Sequence, residues 1–184
     1  QGEWQYSTDG NTWTNLPSVS TSSAILLKST DSLRFVPTSQ FYGTPGGLTV
    51  RLVDSSGAAI TTGSTVDVSN DTTLSGGTTR YSNSSNTVTL TTGITSVNDA
   101  PTLTSASLSA VNEDVTSASN AGAVISTLFS GKYSDLTDDQ SGVAGGGAST
   151  ATAFAGLAIL GNTANAGTEG KWQYSVTPGT WVDL

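Results

Sequence analysis

Apolar residues recur along this chain in short runs, not in helical stripes. Ala24–Leu27, Leu33–Pro37, Leu48–Asp54, Thr79–Ser82 and Thr87–Val97 gather β-branched and apolar side chains, and Gly, Ser, Asn, Asp or Pro separates each run from the next. Thr102–Ala110, Ala123–Phe129 and Phe154–Leu160 continue the series in the second half. Short strands at this spacing predict an all-β chain built as an antiparallel β-sandwich. Ser141–Ala153 (SGVAGGGASTATA) breaks the pattern: every side chain in it is small, and it reads as a mobile loop.

A repeat sets the larger frame. GEWQYSTDGNTWTNL, Gly2–Leu16, returns without a gap as GKWQYSVTPGTWVDL, Gly170–Leu184, an offset of 168 residues. Eight of the fifteen positions are identical, including both Trp residues, the Tyr and the closing Leu. Each copy reads as a β-hairpin turning at Asp9-Gly10 or at Pro178-Gly179. A second copy that has barely begun implies that the chain starts inside one repeat and stops inside the next, so the domain boundary falls near its centre. The hairpin rings Trp4, Tyr6 and Trp13 have two readings: cross-strand and core packing, or an exposed aromatic platform for a glycan, a role also open to the pair Phe41 and Tyr42 in QFYGTPGG.

Charge narrows the functions. Fourteen acidic residues against six basic ones give a net charge of -8, a field that repels nucleic acid and anionic membranes and favours divalent cations. With no Cys, His or Met, the chain lacks a thiolate nucleophile, the usual neutral-pH base and the soft metal ligands. Nor can it form disulfides, so stiffness must come from packing, strand pairing or metal ions. No apolar run approaches the about 20 residues of a membrane-spanning helix. An enzyme is not expected.

At the centre, Ser96–Leu103 (SVNDAPTL) ends a β-rich run in Asn98-Asp99, and Pro101 forces an extended start to the next segment. Val111–Val115 (VNEDV) follows ten residues on, and Leu33–Pro37 (LRFVP), Thr49–Gly57 (TVRLVDSSG), Leu128–Asp135 (LFSGKYSD), Leu157–Ala166 (LAILGNTANA) and the WQYS hairpin complete a set. Together these resemble the cadherin-like tandem repeats of giant bacterial surface adhesins and hemagglutinin-type proteins. VNDAP stands where cadherins carry an interdomain linker. The resemblance implies Ig-like sandwiches, with residues 1–99 the C-terminal part of one repeat and 100–184 the N-terminal part of the next. It implies an extracellular stalk or surface fibre, with neighbouring copies as partners that complete the partial sandwiches by strand or half-domain complementation. Calcium at the linker is also implied, held by Asn98, Asp99, Glu113 and Asp114, with Asp135, Asp138 and Asp139 in support and Asp54 serving the opposite end. Linkers rich in Asp, Asn and Glu can supply the about six to eight oxygens that calcium takes.

Overall fold

The computed structural model describes residues 1–184 and is all-β, made of small antiparallel sheets. The chain divides into two compact units. One comprises Gln1–Asp99 with Thr137–Ala151, the other Ala100–Leu136 with Thr152–Leu184.

The first unit holds β1 (Gly2–Ser7), β2 (Thr14–Asn15), β3 (Ala24–Ile25), β4 (Ser32–Pro37), β5 (Leu48–Arg51), β6 (Thr65–Val66) and β7 (Thr87–Leu90). They pair as a three-stranded sheet in the order β2-β1-β4 and as the pairs β3-β6 and β5-β7. Register follows the hydrophobic alternation. Trp4 faces Phe35 and Tyr6 faces Leu33, which puts the apolar side chains on one face, while Gln5 and Arg34 share the other. The β1–β2 loop is set by Ser7 and Asp9. The buried Ser7 hydroxyl accepts from the Asp9 and Gly10 amides, the Asp9 carboxylate accepts from the Asn11 and Thr12 amides, and Gly10 takes φ +75°, where a Cβ would be strained.

Phe41, Tyr42 and Val68 are the buried apolar residues of the chain. Around Tyr42 the structure revises the expectation of a mobile loop at Ser141–Ala153. Gly43 pairs with both Ile94 and Gly146, the Gly147 amide donates to Tyr42 O at 3.0 Å, and the Tyr42 hydroxyl donates to Asp138 O at 2.8 Å with Ala148 O also in reach. The glycines serve close approach: a Cβ on Gly147 would run into the Tyr42 ring, and one on Gly145 into Thr44 O. A composition that looks uncommitted is a clasp over the most buried rings.

The second unit holds β8 (Thr102–Leu103), α1 (Ile125–Leu128), β9 (Tyr133–Ser134), β10 (Gln173–Thr177) and β11 (Thr180–Asp183), paired as β8-β9 and β10-β11. Ala123–Phe129, expected as a strand, contains the single helical turn α1. The Thr127 and Leu128 amides close onto Val124 O and the Phe129 amide onto Ile125 O, so the segment meets its backbone hydrogen bonds locally, without a partner strand. Phe154–Leu160, also expected as a strand, forms none, and Thr79–Ser82 contributes only the bridge Val53↔Tyr81. Phe154 instead anchors an aromatic cluster, 5.7 Å from Phe129 and 5.6 Å from Tyr133 between ring centres. No helix is long and apolar enough to cross a membrane.

Candidate functional site

The central acidic segment is held by hydrogen bonds. In the first unit Asp138, buried at the end of a 3₁₀ turn, accepts the Asp99 amide on both carboxylate oxygens, at 3.1 and 3.2 Å. Asp99 in turn accepts from Gln40 Nε2 at 3.2 Å, and the exposed Asn98 folds its amide back onto Asp99 O. Asp139 accepts from the Ser141 hydroxyl and amide, which hold its carboxyl below the usual range. The structure thus brings Asn98, Asp99, Asp138 and Asp139 to one place, with the VNDAP segment pinned by Asp138 at the Asp99 amide. Asp54 lies elsewhere in this unit, exposed, with its carboxylate taken by the Ser56 hydroxyl and amide. Those contacts lower its pKa.

In the second unit Glu113 and Asp114 are exposed, Asp114 in the left-handed region at φ +62°. Asp135 is buried. Its Oδ2 accepts from the Thr152 amide at 2.6 Å and hydroxyl at 2.8 Å, contacts that lower its pKa, while Oδ1 is buried with no partner. That bare carboxylate oxygen is the one feature of the acidic set that favours a cation. Against it, no three acidic side chains are arranged so that they could hold a metal ion, those near Asp99 included. The oxygens as placed do not make the cage of about six to eight that calcium requires.

Neither set of aromatic residues presents two rings side by side to solvent. Phe41 and Tyr42 are buried and belong to the core. Trp4 packs edge-on against Phe35 at 5.4 Å and donates its indole N–H to Gly46 O at 2.9 Å. Trp13 lies on the opposite face of the sheet from Trp4 and Tyr6, since Tyr6 pairs with Thr14 and the Arg34 guanidinium, which shares the Gln5 face, sits 3.9 Å from the Trp13 ring centre. Two coplanar exposed rings, the minimum for stacking a sugar, are therefore absent from this group.

Sequence reasoning missed one polar centre. Arg51 reaches Asp71 Oδ1 at 3.0 Å, the fully buried Ser75 hydroxyl and Ser82 O. Asp71 also accepts from Ser84 and Ser75, and these contacts, led by Ser84, push its carboxyl far below the usual range. Every oxygen there faces a protein donor, so the cluster ties the β5 region to the Asn70–Ser84 loop and leaves no vacant ligand position. Nothing in the local sequence announces it, because Ser, Thr and Asp are as common in plain turns.

Architecture and side chains together define an all-β protein of small antiparallel sheets with a tandemly repeated aromatic hairpin. No protein-family model, curated protein or solved structure matches the chain.

Proposed function

We propose that this chain is a structural spacer repeat of an extracellular bacterial adhesin or surface fibre, whose work is to hold successive copies in line. The observation that carries the reading is the hairpin, which recurs 168 residues apart in one chain with the same strand register. A sequence that returns to the same hairpin is suited to concatenation. Surface area supports it. The chain exposes 12678 Å², whereas a compact monomer of 18.6 kDa exposes about 8,000 Å² and two separate compact bodies of that total mass about 10,000 Å². Leu103, Leu136, Val176 and Leu160 stand mostly in solvent, as apolar residues do when a neighbouring copy is to cover them. The acidic, Cys-free composition suits a secreted part stiffened by means other than disulfides.

Chains of two, four and six joined copies test the proposal by small-angle scattering. Maximum dimension should rise in near-constant steps, and a dimension growing only as a collapsed globule does would refute the spacer. Calcium belongs to the reading through the linker resemblance at Asn98 and Asp99, not through the bare Asp135 oxygen, which is buried and out of a neighbouring copy's reach. The same samples with calcium and with chelator should differ in dimension and melting temperature. Identical values remove calcium from the reading and leave the spacer standing.

A further inference from the structure

Two tripeptides of this chain carry the pattern Asn-x-Ser/Thr with x other than Pro: Asn70-Asp71-Thr72 and Asn83-Ser84-Ser85. The pattern marks an acceptor of N-linked sugar, and its chemistry needs a carboxamide in solvent with a hydroxyl two residues on. Both tripeptides stand in the loop that closes the Arg51 centre. They are joined through their middle residues, since the Ser84 amide donates to both carboxylate oxygens of Asp71, at 3.0 and 3.1 Å. Sequence alone does not rank them, because a chain so rich in Ser and Thr produces the pattern by composition. Geometry does rank them.

At the first tripeptide the middle side chain turns inward. Asp71 meets Arg51 and the buried Ser75 hydroxyl, while Asn70 and Thr72 on either side are exposed. The Asn70 carboxamide is held in one orientation: its Oδ1 accepts from the Thr72 amide at 2.9 Å and from the Thr72 hydroxyl at 2.7 Å. A main-chain N–H can only donate, so the atom facing it is the oxygen and Nδ2 is the atom turned away. Nδ2 has no hydrogen-bond partner within the protein. Beneath it the Asn70 carbonyl accepts the Leu74 and Ser75 amides, both at 2.9 Å, which fixes the main chain under the side chain. Turn capping accounts for Oδ1 and for the carbonyl, but it has no use for the Thr72 hydroxyl or for a free amide nitrogen. Asn83 differs. It is half-buried, its Oδ1 accepts the Ser85 hydroxyl at 3.0 Å without a main-chain donor, and its stem packs at Gly76, where an added Cβ would come within 2.8 Å of the Asn83 Cβ.

We infer that Asn70 is an N-glycosylation site, accepting a hexose from a nucleotide-activated sugar, and that the fold leaves Asn83 unmodified. In the transfer Nδ2 forms a C–N bond to the anomeric carbon, the bond from that carbon to the diphosphate oxygen breaks, and the nucleoside diphosphate leaves with the electron pair. One Nδ2 proton passes to a base of the transferase. The Thr72 hydroxyl lies against the same carboxamide, so a single transferase site can read both groups of the motif. Because Nδ2 holds no partner, the new bond breaks no hydrogen bond of the protein, and the contacts of Oδ1 and of Asp71 with the Arg51 centre stay in place. The inference rests on this loop and not on the chain being a spacer.

The folded full chain, incubated with UDP-glucose and an N-glucosyltransferase that reads Asn-x-Ser/Thr, tests the site by intact mass and peptide mapping. A single hexose, on Asn70, is expected. Asn70→Gln and Thr72→Ala should each abolish it, Thr72→Ser should keep it because the hydroxyl remains, and Asn83→Gln should leave it unchanged. The peptides Asp67–Ser75 (DVSNDTTLS) and Arg80–Asn86 (RYSNSSN) should both be accepted, which would make the fold, not the sequence, the reason Asn83 is silent. A folded chain that gains no sugar overturns the site. Sugar on Asn83 of the folded chain, or rejection of the Arg80–Asn86 peptide, overturns the selection by the fold. Transfer that survives Thr72→Ala overturns the part given to the hydroxyl. The glucosylated chain should melt at the temperature of the bare one, and a lower value would mean that Nδ2 is not free. The spacer reading fails or stands on the dimensions of joined copies, a separate result.

Discussion

Single side chains fix the loops of this protein, and two of them make sharp predictions. The Tyr42 hydroxyl donates into the Asp138–Ala148 segment from a buried ring. Tyr42→Phe should cost about 1 to 3 kcal/mol of stability, the usual price of unpairing a buried carbonyl, with faster hydrogen exchange at the Gly147 amide. Unchanged exchange would mean that the clasp does not depend on the hydroxyl. Asp9 supplies the pH dependence. Amide donors from Thr12 and Asn11, with Ser7, lower its carboxyl to about 2. A folded pKa below the unfolded one favours the charged native form, so this contribution is complete above about pH 4 and fades as pH falls through about 2. Acid unfolding followed between pH 5 and 2 should show it, and Asp9→Asn should flatten that part of the curve.

Elements were legible where a strand carries its own turn. The hairpins could be read directly, because Trp4, Tyr6 and the Asp9-Gly10 turn state both register and reversal, and β4 and β5 were visible as apolar alternations. Ala123–Phe129 was not: a run of small and β-branched residues reads as a strand, but with no partner strand beside it the backbone satisfied itself in one helical turn. Ser141–Ala153 misled for the opposite reason, since glycines that permit close packing and glycines that permit motion look alike in sequence. Asn98 and Asp99 stood out in the sequence as a polar break before Pro101, while the hydrogen bonds that hold Asp99, from Gln40 and to Asp138, depend on neighbours far along the chain. Two glycines of one loop separate packing from motion. Gly147→Ala should destabilise by about 1 to 3 kcal/mol through overpacking against Tyr42, whereas Gly142→Ala, with open space at its Cβ, should leave the denaturation midpoint unchanged. Equal effects from the two would show that the close approach to Tyr42 is not what the glycine provides.

At the scale of the whole molecule the small apolar core and the large exposed area have a measurable counterpart. The urea m-value, which follows the surface uncovered on unfolding, should fall well below that of a compact protein of 18.6 kDa and should rise when copies are joined. An m-value already at the compact level would mean that the chain needs no partner to complete its burial. The Tyr42 clasp adds a constraint of a different kind, one of time. The two carbonyls that Tyr42 reaches, at Asp138 and Ala148, lie 96 and 106 residues along the chain from it. Contacts so distant in sequence form late, after the loop between them has closed. A chain emerging from a ribosome or a secretion pore, N-terminus first, therefore presents β1 to β7 before the segment that clasps them exists, and must traverse the whole beginning of the second unit before the first can close.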